Sequence, residues 1–188
     1  MEKEPVSFFL EAYPQALAYA KERLGTFLNC PTEALALIRN TTEGVNSILG
    51  SVSWSRGDEI IVTNLTYPAC YKAAESRTHR DNTVTRIVDI NPNWTDDEIV
   101  EAIDKAITKR TRLVLFDYVT SATALVLPAR QVVNLCRARG ILCAVDGAHA
   151  PGMLPIDLTA LKPDFFVGNL HKWCCAPKGS AFLYVDPK

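Results

Sequence analysis

The stretch Phe165-Phe166-Val167-Gly168-Asn169-Leu170-His171-Lys172-Trp173 puts a lysine just beyond an apolar run. Aromatic and apolar neighbours desolvate an ammonium group, lower its pKa and leave a nucleophilic amine. Asp146 stands in a comparable place, after Ile141-Leu142-Cys143-Ala144-Val145 and before Gly147-Ala148-His149. A buried aspartate is costly unless a cation or donor lies beside it, so this position needs a partner. In Arg39-Asn40-Thr41-Thr42-Glu43-Gly44-Val45-Asn46, threonines sit where a helix begins. Free backbone N–H groups, the positive end of the helix dipole and the hydroxyls suit an anion such as a phosphate. Each feature also has a plain structural use: Thr and Asp cap helices, and most lysines are surface charges.

An amine, a carboxylate and a phosphate cradle are the groups that pyridoxal 5'-phosphate (PLP) requires at its aldehyde, ring nitrogen and phosphate. They can serve one ligand only if one fold brings them together. Apolar positions Leu17, Ala20, Leu24 and Leu28 recur at helical spacing between Pro14 and Asn29, which predicts an amphipathic helix. Short apolar runs then alternate with helical patterns. Ala34 to Ile38 reads as a buried strand, Glu59 to Val62 as the next, and Pro68 opens a helix to about Arg77. Thr83 to Val88 is a third strand, and Thr95-Asp96-Asp97-Glu98 is a capping box for a helix to about Ile107. Arg112 to Phe116, Ile141 to Val145, Phe165 to Val167 and Ala181 to Val185 complete about seven strands, with a helix over Ala129 to Arg139. The expected class is α/β: a mostly parallel seven-stranded sheet with helices on both faces, residues 1–188 forming one large domain with residues 1–30 as a helical lead-in. In such sheets ligands bind outside the carboxyl ends of the strands, where all three candidate sites fall.

The bulk numbers exclude several rivals. The chain has 188 residues, 48% hydrophobic and 22% charged, with a net charge of -1. That composition suits a domain with a sizeable core and gives no global field for nucleic acid or membrane. The start, Met1-Glu2-Lys3-Glu4-Pro5, lacks the pattern of a secretory leader, and no apolar run reaches membrane-spanning length. The six cysteines form no CxxC pair, and His79, His149 and His171 have no zinc-site spacing, so no metal is expected. No GxGxxG follows a predicted strand, which disfavours a dinucleotide site.

Asp146-Gly147-Ala148-His149 followed by Asn169-Leu170-His171-Lys172 resembles the PLP-binding motifs of the fold-type I, class V aminotransferases. Gly168 to Val185, with Ala176-Pro177-Lys178-Gly179, is most similar to the isopenicillin N epimerase-like branch, which also resembles cysteine desulfurases and carbon–sulfur lyases. The resemblance runs from about Asn29 onward and implies a role for each candidate. Lys172 would form the Schiff base and, once displaced by the substrate amine, move the Cα proton. Asp146 would keep the ring nitrogen protonated, and His149 would lie beside the phenolic oxygen. Thr41 and Thr42 match the phosphate-binding turn, to which Asn169 and His171 would add ligands. Tyr67 falls where relatives stack a ring on the cofactor, though a tyrosine there also suits packing at a helix start. Ser121 or Thr123 would touch the phenolic oxygen. Cys174 and Cys175 receive no role.

The resemblance further implies a small-molecule amino acid substrate and a homodimer, while the balanced charge and the start of the chain lead to the expectation of no nucleic acid or membrane partner and a cytoplasmic setting. Family members carry a small C-terminal domain with an arginine for the substrate carboxylate, and an N-terminal segment that closes the pocket. The sequence is expected to be a fragment lacking both. Two readings follow: an epimerase-like or carbon–sulfur lyase-like enzyme, or a truncated, non-catalytic PLP-binding domain.

Overall fold

The computed structural model describes residues 3–187, so the reading of Met1 and Glu2 as the start of a leaderless chain, and the chain end at Lys188, lie outside the described residues. The helices are α1 (Pro5–Ser7), α2 (Tyr13–Leu28), α3 (Thr41–Ser51), α4 (Pro68–Asp81), α5 (Asp96–Ala106), α6 (Ala129–Arg139) and α7 (Leu158–Leu161). The strands are β1 (Leu35–Ile38), β2 (Glu59–Thr63), β3 (Val84–Val88), β4 (Thr111–Asp117), β5 (Leu142–Asp146), β6 (Phe165–Asn169) and β7 (Ala181–Val185). They form one sheet in the order β1-β7-β6-β5-β4-β2-β3. The pairs β2/β3, β2/β4, β4/β5 and β5/β6 are parallel, whereas β7 is antiparallel to both β1 and β6. Six strands therefore point one way, and their carboxyl ends share one edge.

Alternation along the central strands sends successive side chains to opposite faces. Ile60 and Val62, Leu113 and Leu115, Ala144, and Val167 face Val45, Ile48 and Leu49 of α3 and Cys70, Ala73 and Ala74 of α4. Ile61, Val114 and Phe116, Cys143 and Val145, and Phe166 face the other way, toward α2, α5, α6 and α7. On that face Phe166 stacks on Phe182 with ring centroids 6.0 Å apart and planes 5° from parallel. Both faces are covered, as the continuous apolar runs predict. The capping box forms as well: Thr95 Oγ1 accepts from Glu98 N–H, and Glu98 accepts from Thr95 N–H at 2.7 Å.

Two local expectations need correction. Ala34 to Ile38 was expected to be a buried strand, but within β1 only Leu35 is buried. Among the described residues it is an edge strand paired with β7 alone, so one side of it has no neighbouring strand to cover its side chains. The helical stripe of Leu17, Ala20, Leu24 and Leu28 is buried only at Leu24 and Leu28, while Ala20 is exposed. The earlier turns, including a π-helical turn over Phe8–Ala12, run past the sheet and leave Phe9, Leu10 and Tyr19 exposed.

Candidate active site

The sites marked in the sequence meet at the carboxyl edge of the sheet. A pocket of about 170 Å³ is lined by Asn40, Thr41 and Thr42 after β1, Tyr67 after β2, Asp117 at the end of β4 and Ser121 beyond it, Ala148 and His149 after β5, and Asn169, His171 and Lys172 at the end of β6. A larger depression, about 890 Å³, opens at the amino ends of the strands among Lys109, Arg110, Arg112 and Arg139. Arg139 is ion-paired with Asp104 there, and the buried carboxylates Asp117 and Asp146 lie at the opposite, carboxyl edge.

Strand parity explains where the carboxylates go. Leu113, Leu115 and Asp117 share one face of β4, Ala144 and Asp146 share the same face of β5, and Asp117 and Asp146 are in register as neighbours. Both are buried, at 3% and 1% exposure. Asp146 accepts from the backbone N–H of Ala148 at 3.0 Å and from the Cys70 thiol at 3.1 Å. Asp117 accepts a longer bond, 3.4 Å, from Tyr67 N–H. Desolvation raises both carboxyls; at Asp117 the Asp146 charge adds to it, taking that group to about 8, whereas at Asp146 the Cys70 thiol, the Ala148 N–H and the Lys172 charge oppose it. Two buried carboxyls this close cannot both ionise cheaply. The two donors on Asp146 make it the member that keeps the charge, leaving the shared proton on Asp117.

Lys172 lies half-buried at the mouth of this pair. Burial lowers its pKa, opposed by the charges of Asp146, Asp117 and Cys70. Its Nζ is 3.0 Å from His149 Nε2, and the indole N–H of Trp173 donates to His149 Nδ1 at 3.1 Å. Burial, then the Lys172 charge, lowers the pKa of His149.

At the opposite side of the pocket Asn40 caps α3, its Oδ1 accepting from Glu43 N–H at 2.9 Å. The cap is thus Asn40, and Thr41 opens the helix. Asn169, buried at the end of β6, accepts from Thr41 N–H at 3.1 Å and donates to Thr41 Oγ1 at 3.2 Å. Its amide thus braces the start of α3 while the residue lines the pocket, with a second N–H left for the phosphate role that the resemblance implies. His171 donates from Nδ1 to Ser180 carbonyl at 2.9 Å, since a carbonyl only accepts. Of the two residues after β4, Ser121 lines the pocket, while Thr123 shares a 2.7 Å hydroxyl contact with Thr120. Tyr67 lines the pocket at the start of α4, with its side chain partly exposed.

Three residues at this site were not marked in the sequence. Asp117 would have been found by extending the β4 run one residue past Phe116, the same strand-end rule that marked Asp146. Cys70 and Trp173 carry no pattern; only the fold brings them to Asp146 and His149. The raised carboxyl has a direct consequence for the protein without ligand. An acid whose folded pKa exceeds its unfolded value contributes stability below the unfolded pKa, near 3.8, and loses it as pH rises toward the folded pKa, about 8. Asp117→Asn is therefore expected to flatten the fall in Tm between pH 4 and 8. At pH 8 it should stabilise the chain by roughly 2 kcal/mol, about 6 °C for a domain of this size. A variant that melts below the wild type at pH 8 would show that Asp117 is not held protonated.

The family model for aminotransferase class-V matches residues 6–188. The chain is 38% identical over 184 residues to isopenicillin N epimerase of Amycolatopsis lactamdurans, covering 96% of this chain and 46% of that protein. It is 36% identical over 187 residues to isopenicillin N epimerase of Streptomyces clavuligerus, covering 98% of this chain and 46% of that protein. Two solved structures of C-DES superpose on it. One is a lysine-to-alanine variant with glycine covalently linked to the PLP cofactor, with TM-score 0.93 and 25% identity over 99% of this chain and 50% of that one. The other is the cystine C-S lyase C-DES with its reaction product cysteine persulfide, with TM-score 0.88 and 26% identity over 93% and 47%. The chain spans about half the length of the curated relatives it matches.

Proposed function

The chain belongs to the class-V aminotransferase family, and from that premise we propose that it binds pyridoxal 5'-phosphate and acts on a small amino acid by moving its Cα proton. One observation carries the reading: Lys172, the Asp117–Asp146 pair and the N-terminus of α3 converge on a single pocket at the carboxyl edge. The residues present fit the group. A buried carboxylate that already accepts two donors can accept a third from a protonated ring nitrogen, and a desolvated amine can bond an aldehyde carbon. The N-terminus of α3, an 11-residue helix, suits a phosphate.

PLP, when bound, supplies an aldehyde that condenses with amines and a ring that draws electrons from Cα. The chain's own residues do the rest. Thr42 and the first turn of α3 bind and orient the phosphate end. Asp146 holds a proton at the ring nitrogen, and Asp117 beside it lends a neutral wall. Tyr67 and Ser121 bound the ring. Lys172 Nζ takes the Cα proton and can return it. Return by Lys172 to the same face restores the substrate, delivery of a proton to the opposite face by a second donor is epimerisation, and departure of a sulfur substituent from Cβ as a thiolate, with the Cα electron pair forming a Cα–Cβ double bond, is carbon–sulfur cleavage. The epimerase outcome is favoured by the relatives at 38% and 36% identity, and the lyase outcome by the likeness to C-DES. A homodimer belongs to the same reading on the resemblance alone, and a cytoplasmic setting on the sequence pattern. Among the described residues no helix is long and apolar enough to cross a membrane, and no cluster of His, Cys, Asp and Glu could hold a metal ion.

The test is to add PLP to the purified chain, reduce with borohydride and map the labelled peptide. Proton exchange at Cα is then followed by NMR for a panel of amino acids in deuterated water. Label on Lys172 with exchange of at least one amino acid is the expected result. Label on Lys172 without exchange moves the reading to a non-catalytic binding domain, and label scattered over surface lysines overturns it.

A further inference from the structure

We propose that Trp173 is a positioning residue whose indole N–H fixes His149 as its Nε2–H tautomer and thereby keeps Lys172 an uncharged amine. The inference deepens the active-site reading above and takes its purpose from it, while its test is read on the chain without added cofactor.

The argument is one of donors and acceptors. An indole N–H can only donate, so the 3.1 Å contact from Trp173 requires a bare Nδ1 on His149. A neutral imidazole with a bare Nδ1 carries its proton on Nε2, and that nitrogen can then only donate. Nε2 lies 3.0 Å from Lys172 Nζ. An ammonium has three donors and no acceptor, so a charged lysine would set N–H against N–H. The free amine has the lone pair that this contact needs. The chain Trp173–His149–Lys172 is satisfied throughout only with a neutral lysine.

Other groups around Nζ pull the opposite way. Asp146 and Asp117, at the ends of β5 and β4, and Cys70 on α4 all favour the charged form, while burial opposes it. With Asp117 holding the shared proton, one carboxylate charge of the pair remains. The imidazole donor is thus a specific counterweight. It is held firmly at its far end, because Gly152, at φ +87°, lets the Trp173 backbone approach to where a Cβ would stand 2.6 Å from its carbonyl oxygen. The indole itself is half-exposed, with ring centroid 6.4 Å from that of His149, so its packing role is small. Without the indole N–H, His149 is free to move its proton to Nδ1 and accept from a lysine ammonium through Nε2.

The test uses the full chain labelled with ¹⁵N-histidine, His149→Asn serving to assign its signals among the three histidines. The expected spectrum at neutral pH is that of the Nε2–H tautomer. In Trp173→Phe the tautomer ratio should shift toward Nδ1–H by about tenfold, the equilibrium worth of one hydrogen bond. Acetic anhydride labelling of Lys172 at fixed pH, read by mass spectrometry, should slow by about tenfold as its titration midpoint rises by about one pH unit. A wild-type spectrum showing Nδ1–H or imidazolium overturns the proposal without any variant. An unchanged tautomer or unchanged labelling in a Trp173→Phe protein with wild-type circular dichroism overturns it as well. Failure of PLP to label Lys172 would leave both readouts intact, so the two readings fail separately.

Discussion

Lys172→Ala abolishes borohydride-fixed PLP at the β6 edge and lowers Cα proton exchange by at least about a thousandfold, the scale expected when a single group serves as both nucleophile and base. The size follows from the absence of a substitute. Among the described residues Lys172 is the one lysine lining the pocket, and His149, its neighbour at 3.0 Å, cannot form the same covalent link to an aldehyde. His149 also has its Nδ1 occupied by the Trp173 indole. Removing three methylenes and an amine from a half-buried position leaves space that a small exogenous amine can enter. Ethylamine should therefore restore part of the proton exchange, in proportion to its free-base concentration, and with a pH profile set by ethylamine in place of Lys172. Measured by deuterium uptake at Cα, retention of more than about a tenth of the wild-type rate without added amine would sink the assignment of Lys172 as the base. Full loss with no rescue would remain compatible with it only if PLP still bound, which absorbance in the visible range reports independently.

Much of this arrangement was legible in the sequence because it depends on rules that act locally. The β2, β4, β5, β6 and β7 strands are each built on an apolar run of three or more residues, so each could be read within a residue or two. The strand-end rule then located Asp146, and the apolar approach to Lys172 marked the lysine. What stayed hidden depends on packing between distant segments. Nothing near Leu37 shows that β1 lies at the sheet edge, since edge position is set by its pairing with β7, more than 140 residues later. Asn169 reads as a polar residue beside the lysine, yet its amide is directed at Thr41 across 128 positions. The Cys70 thiol reaches Asp146 only because α4 packs on the face that parity assigns to that carboxylate. The early turns of the first helix carry apolar residues at helical spacing, but spacing alone cannot tell a face that meets the sheet from one that passes beyond it.

The carboxylate pair gives the second large effect, and it sets Asp146, the partner that the resemblance implies for the ring nitrogen, against a neighbour that the sequence did not mark. Asp117 and Asp146 are neighbours in register, both buried, and both raised by desolvation. The ring-nitrogen partner must be the one that is ionised, since only a carboxylate holds a proton on a pyridine nitrogen strongly. Asp146 has the Ala148 N–H and the Cys70 thiol to stabilise that charge, whereas Asp117 has one long bond from Tyr67. Asp146→Asn is therefore expected to leave PLP fixed on Lys172 while reducing Cα proton exchange by about a thousandfold, the scale of losing a preorganised charge at the reacting system. Asp117→Asn should cost less than about tenfold, because an amide is a close stand-in for the protonated acid and relieves Asp146 of a competing carboxyl. The decisive comparison is the pair of exchange rates at pH 7 with cofactor occupancy matched by absorbance. If Asp117→Asn proved the crippling change and Asp146→Asn the mild one, the proton would sit on the other member of the pair, and Cys70 would then be donating to a neutral acid. The pH profile provides the cross-check: wild-type exchange should change as Asp117 titrates near its folded pKa of about 8, and Asp117→Asn should remove that inflection while leaving any other in place.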